Sequence, residues 1–121
     1  CDLFVLGSSD RNELTPRSEP DTAAVPGLLS LLSGAPSKHT RAMAATYLGI
    51  IADKSALAPM INAMESEKDP WAKASIALGL GIMGDPAAIA AVQKAAESTS
   101  EHEELAWMFK ESMNRLNGIR R

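Results

Sequence analysis

The sequence predicts an all-α solenoid of three helical hairpins, six helices in all, behind an extended N-terminal tether. Three observations carry that prediction. Residues 41–66 (RAMAATYLGIIADKSALAPMINAMES) and residues 73–98 (KASIALGLGIMGDPAAIAAVQKAAES) repeat one pattern at an offset of 32 residues, with 11 of 26 aligned positions identical. A period of that size signals stacked supersecondary units that shield one another's apolar faces. The composition is 45% apolar but only 4% aromatic, so the core is built from Ala, Leu, Ile and Met. That suits closely packed helices better than a sheet, which favours β-branched and aromatic residues. Helix start and stop signals also recur regularly from residue 21 onward.

Residues 1–20 carry no helical period and read as the tether; residues 21–121 form the repeat domain. Asp21 or Thr22 caps a first helix to about Ser33, ended by Gly34-Ala35-Pro36. Ser37 caps a second to about Ala52, and Asp53 a third to about Ser66. Asp69, with Pro70 at the first helical position, opens a fourth to Met83, stopped by Gly84. Asp85-Pro86 opens a fifth to about Glu97. Ser100 and Glu103 have capping-box spacing for a sixth, to about Asn117, with Gly118 as its stop. The first repeat keeps the pattern with weaker identity: Val25, Leu28, Leu29 and Leu32 align with Leu57, Met60, Ile61 and Met64. Glycine within a helix costs about 0.5–1 kcal/mol against alanine. Gly49 and Gly81 recur at one repeat position, so close approach of helix backbones is expected there. Tyr47 stands where the next repeat has Gly79.

The segments LGIIADKSALAPMINAM and DPWAKASIALGLGIMGDPAAIAAV resemble the short HEAT-like repeats of the bilin-lyase type. Arg41/Lys73, Leu48-Gly49/Leu80-Gly81, Asp53/Asp85 and Pro26/Pro59 fill the places of that pattern. The resemblance covers residues 21 to 117. It implies a solenoid in which the second helix of each hairpin lines a concave face. It implies no single activity, because such repeats serve proteins of many functions.

The net charge of −3 argues against a nucleic-acid footprint. Residues 38–96 hold six Lys/Arg against five Asp/Glu, with no basic stripe. No run approaches the ~18–20 apolar residues of a membrane span. Only two histidines occur, His39 and His102. His102-Glu103 matches one of the several His-Glu iron-binding pairs that deoxyhypusine hydroxylase, also built of such repeats, requires. One pair does not make that site, and both histidines read as surface residues. No metal site, cofactor or catalytic group is expected.

The only cysteine is Cys1, so no internal disulfide forms. A cysteine in first position followed by a polar, proline-containing stretch (SSDRNELTPRSEP) resembles a mature bacterial lipoprotein, acylated at Cys1. Each buried methylene of such chains would add ~0.8 kcal/mol of membrane affinity. Asp2 resembles an inner-membrane retention signal. The other reading of Cys1 is an arbitrary start of the chain. Leu3-Phe4-Val5-Leu6 is a short apolar run that either lies on a membrane or partner, or clasps onto the repeat domain.

The concave positions of the resembled repeats are typically charged or polar. Here they are Ala42, Thr46 and Ile50, then Ala74, Leu78 and Ile82, with Trp71 on the same stripe three residues before Ala74. In the last helix the core stripe is Leu105, Met108, Phe109, Met113 and Leu116. Aligning it with the earlier helices needs one extra loop residue and brings Trp107 to the Ala42/Ala74 position. The expected site is therefore a groove of Ala42, Ile50, Trp71, Ala74, Leu78, Ile82 and Trp107 that receives an apolar peptide, helix or subunit. The competing reading places these residues in ordinary core. The expected function is a non-enzymatic interaction scaffold. It would be an accessory or assembly subunit of a membrane-associated complex, held at the periplasmic or extracytoplasmic side of a bacterial envelope through Cys1. The alternatives are a bilin-lyase-type or chaperone-like cytoplasmic subunit, and a self-associating structural stub.

Overall fold

Six α-helices alternate between two layers in the computed structural model, which describes residues 22–118. They are α1 (Val25–Gly34), α2 (Lys38–Ile51), α3 (Leu57–Ser66), α4 (Pro70–Met83), α5 (Ile89–Ser98) and α6 (Ala106–Leu116). No strand occurs among the described residues. The chain is an α-solenoid of three hairpins. Helices α2, α4 and α6 stack side by side as the inner layer, and α1, α3 and α5 form the outer one. Helix α4, at the centre, packs most closely against α2 and α6 and also meets α3 and α5. The expectations on residues 1–20, including Cys1 and the Leu3–Leu6 run, and on Asp21, lie outside the described residues.

The inner helices follow their punctuation. Ser37 Oγ accepts the backbone N–H groups of His39 and Thr40 at the head of α2. Asp69 accepts that of Ala72 at the head of α4, with Pro70 already set for a helix. Both end on a left-handed residue, Gly84 (φ 79°) after α4 and Ala52 (φ 60°) after α2. Helices α3 and α5 start later than the Asp signals imply. Asp53 and Asp85 cap one 3₁₀ turn each, accepting from Ser55 (2.9 Å) and Ala87 (3.0 Å), before the α-helices begin at Leu57 and Ile89. The Ser100–Glu103 capping box does not form. Successive turns from Glu97 and Thr99 carry the chain to His102, which heads another 3₁₀ turn with no side-chain cap. These turns also absorb the extra loop residue.

The inner layer is held by backbone-close contacts rather than by large side chains. A methyl on Gly49 would run into the Gly79 carbonyl, and one on Gly79 would lie 2.5 Å from the Ala45 carbonyl oxygen. In the next seam a methyl on Gly81 would lie 2.8 Å from Ser112 Cα, and Ser112 Oγ donates to the Ala77 carbonyl. The partner of Gly49 is residue 79, and the partner of Gly81 is residue 112. Each seam thus pairs a repeated glycine with a second small residue, and the offset from the second to the third hairpin is 33. Beneath the seams Leu48, Met60, Met64, Ile76, Leu80 and Val92 are wholly buried. Each such side chain contributes about 1.5–3 kcal/mol by leaving water. At the loop edge Arg41 joins the first two hairpins. Its guanidinium grips Glu67 in two parallel bonds (2.8 and 2.9 Å) and donates to the Ala35 and Pro36 carbonyls.

Candidate interaction face

The site begins with a repeat coincidence. His39 and Trp71 occupy the same position of successive repeats, 32 residues apart, near the heads of α2 and α4. Because those helices stack through glycine, the two rings meet, with centroids 5.1 Å apart and planes tilted by 49°. Lys38 Nζ lies 6.0 Å from the Trp71 ring and 3.4 Å from Asp69. The Asp69 carboxyl is held below its ordinary range first by the Ala72 N–H, with Lys38 adding to it against the cost of burial. Its negative charge is therefore fixed at the rim.

Between α2 and α4 the inner layer opens into a hollow of about 280 Å³ lined by His39, Ala42, Met43, Thr46, Trp71, Ser75 and Leu78. Thr46 and Ser75 turn their hydroxyls onto the Ala42 and Trp71 carbonyls of their own helices, at 3.1 and 3.0 Å. That leaves methyl, methylene and ring surface toward the opening. One turn beyond Thr46 and Leu78, Ile50 is 62% exposed and Ile82 36% exposed.

The seven residues expected to form one groove divide into four sets. Ala42, Trp71 and Leu78 line the hollow; Trp71 and Leu78 are half-buried, whereas Ala42 is buried and forms its floor. Ile50 and Ile82 are open on the same helices. Ala74 is fully buried and presents no surface, because the equivalent of Ala42 on α4 is covered by α6. Trp107 holds the Ala42/Ala74 position on α6, as the one-residue shift requires. No fourth hairpin follows among the described residues, so its indole is 63% exposed at the open end of the stack. The indoles are thus not sealed inside, but Trp107 is not part of the hollow.

Three lining residues, His39, Met43 and Ser75, are not among the concave positions expected from the sequence; His39 is at the surface, as expected. The His39/Trp71 offset of 32 was the available signal. Row by row, the face changes character toward α6. Thr46 and Leu78 give way to Glu111, and Ile50 and Ile82 to Arg115, which pair at 3.0 Å. A separate hollow of about 370 Å³ between α5 and α6 includes Ala96, Phe109, Met113 and His102. His102 there lies 3.5 Å from both Glu101 and Glu104. No group of three or more metal-ligating side chains occurs among the described residues. None of the described helices is long and apolar enough to cross a membrane.

Comparison with known families matches residues 25–108 to a model described as HEAT repeats. Neither a curated protein nor a solved structure matches the chain.

Proposed function

We propose that this chain, which belongs to the HEAT-repeat family, is a non-enzymatic scaffold whose inner face takes an apolar segment of a partner protein. HEAT repeats generally mediate protein–protein interaction. The observation that carries the reading is the apolar inner surface of the first two hairpins. The His39–Trp71 hollow continues into Ile50 and Ile82, where solvated repeats would carry charge. A partner helix or extended peptide with one small apolar anchor fits the hollow, and the charged α6 row borders it. Aromatic and aliphatic surface framed by ion pairs is the pattern of a binding hot spot.

The rest of the reading concerns location. The chain works as an accessory or assembly subunit of a membrane-associated complex, anchored by acyl chains on Cys1 at a bacterial envelope. The likeness to bilin-lyase repeats is one of repeat style, and no lining residue supplies bilin chemistry. A photo-cross-linking residue at Ile82, compared with one at Asn62 on the outer layer, tests the face in the native cell. Defined protein adducts from Ile82 alone are expected. Equal labelling from both positions overturns the inner-face reading. Intact mass of the native chain tests the anchor separately: an unmodified Cys1 removes it. Light scattering separates a partner binder from a self-associating stub, which gives a mass that rises with concentration.

A further inference from the structure

The inner face changes charge from one helix to the next. On α2 and α4 its rows carry His39 and Trp71, Thr46 and Leu78, then Ile50 and Ile82. At the offset of 33 the same rows on α6 carry Glu104, Glu111 and Arg115. Charge at the rim of the α2–α4 hollow is cancelled within the fold, since Lys38 lies 3.4 Å from Asp69. On α6 and its approach it is not. Residues 101–115 hold Glu101, Glu103, Glu104 and Glu111 against Lys110 and Arg115, four carboxylates to two cations, a net charge of −2. Arg115 is taken by Glu111 at 3.0 Å, and Lys110 lines the separate hollow between α5 and α6. Among the described residues, the ion-pair partner of Glu101 and Glu104 is His102, 3.5 Å from each. The two carboxylate side chains are 82% and 71% exposed.

Acidic residues at the start of a helix are ordinary, because they favour its positive end. Their place beside an apolar hollow is what selects a ligand. An acidic segment seated against Trp71 and Leu78 would be repelled from α6, and a neutral one would gain nothing there. A segment that brings cations to α6 gains attraction, faster encounter and discrimination against both competitors. The α6 axis lies one and a half helix spacings, about 12–15 Å, from the middle of the hollow. That is about four residues along an extended segment, or about eight to ten along a helix.

We propose, resting on the inner-face reading above, that the segment taken by this face is both apolar and basic: an apolar anchor fills the hollow between α2 and α4, and a Lys or Arg of the same segment meets Glu104 and Glu101. The full chain is titrated against two fluorescein-labelled amphipathic peptides of equal length and identical leucines, one carrying lysines and the other glutamates, with anisotropy as the readout. The lysine peptide should bind about tenfold tighter at low salt and lose that margin as salt rises. Glu101→Lys with Glu104→Lys should reverse the preference. Ile50→Gln with Ile82→Gln, which adds no charge, should weaken both peptides. Both double variants sit at exposed positions and should leave the helical circular dichroism unchanged. Equal affinity for the two peptides, both weakened by the isoleucine variant, overturns the charge inference and leaves an apolar inner-face site standing. A lysine preference that survives the charge reversal also overturns it. A lysine preference that the isoleucine variant does not weaken overturns the inner-face reading along with it, and so does failure of both peptides to bind. Light scattering on the same samples covers the remaining occupant. A dimer that the lysine peptide dissociates overturns the proposal in favour of a second copy on this face.

Discussion

Replacing Gly79 by alanine sets two calculable effects against each other. Alanine in a helix interior is favoured over glycine by up to about 1 kcal/mol. The new methyl, however, would sit 2.5 Å from the Ala45 carbonyl oxygen and 3.2 Å from Met60 Cε. Met60 can swing aside, but Ala45 is backbone within α2. Ordinary contact near 3.4 Å requires α2 and α4 to part by about 0.9 Å at this seam. A gap of about 0.5–1 Å forfeits a quarter to a half of each dispersion contact across it, and overpacking of this kind costs about 1–3 kcal/mol. Taking about 3 kcal/mol of cost against about 1 kcal/mol of propensity leaves about 2 kcal/mol of destabilisation. For a domain of this size that lowers Tm by about 8–16 °C. Gly27→Ala is the control. It adds the same methyl to α1 with nothing within 4 Å and should stabilise by about 0.5–1 kcal/mol. Thermal and urea unfolding followed by far-ultraviolet circular dichroism measures both. A Gly79→Ala protein as stable as Gly27→Ala would mean that the inner helices do not meet through their backbones.

Ala52 ends α2 at φ 60°, where an L side chain costs about 1–2 kcal/mol. Ala52→Gly should stabilise by about 0.5–1 kcal/mol after the extra chain entropy of unfolded glycine, and an unchanged Tm would refute the left-handed cap. Trp107→Ala should alter folding stability by less than about 1 kcal/mol, as for an exposed site, and a cooperative loss several times larger would place the indole in a core. Burial raises the Glu67 pKa, but the Arg41 hydrogen bonds, the Asp69 N–H and the Arg41 charge outweigh it, so the folded value lies below 4.5. A depressed folded pKa contributes stability above the unfolded pKa and loses it as pH falls through the folded one. The stability gap between the native chain and Glu67→Gln should therefore be full near neutral pH and shrink below about pH 4.5. A gap that does not change on acidification would mean that Glu67 is not held by Arg41.

Sequence alone determined the hairpin count and the six helices, because those follow from a 32-residue offset and local punctuation, and the resemblance to HEAT-like repeats implied the layer each helix belongs to. It also placed the extra residue before α6, since the apolar stripe of Leu105, Met108, Phe109 and Leu116 admits one register. Helix starts after Asp53, Asp85 and Ser100 escaped it, because a capped 3₁₀ turn and a capped α-helix carry the same residues. Only the tertiary structure decided which stripe residues remain on the surface. Ala42, Ala74 and Trp107 share one repeat position yet run from buried to exposed, because exposure depends on whether another hairpin stacks beyond. The same holds for Met43 and Met108, and for Tyr47 against Gly79 and Ser112. Residue type and helical phase are local properties. Coverage is a property of neighbours, and at the two ends of a stack the neighbours change while the pattern does not.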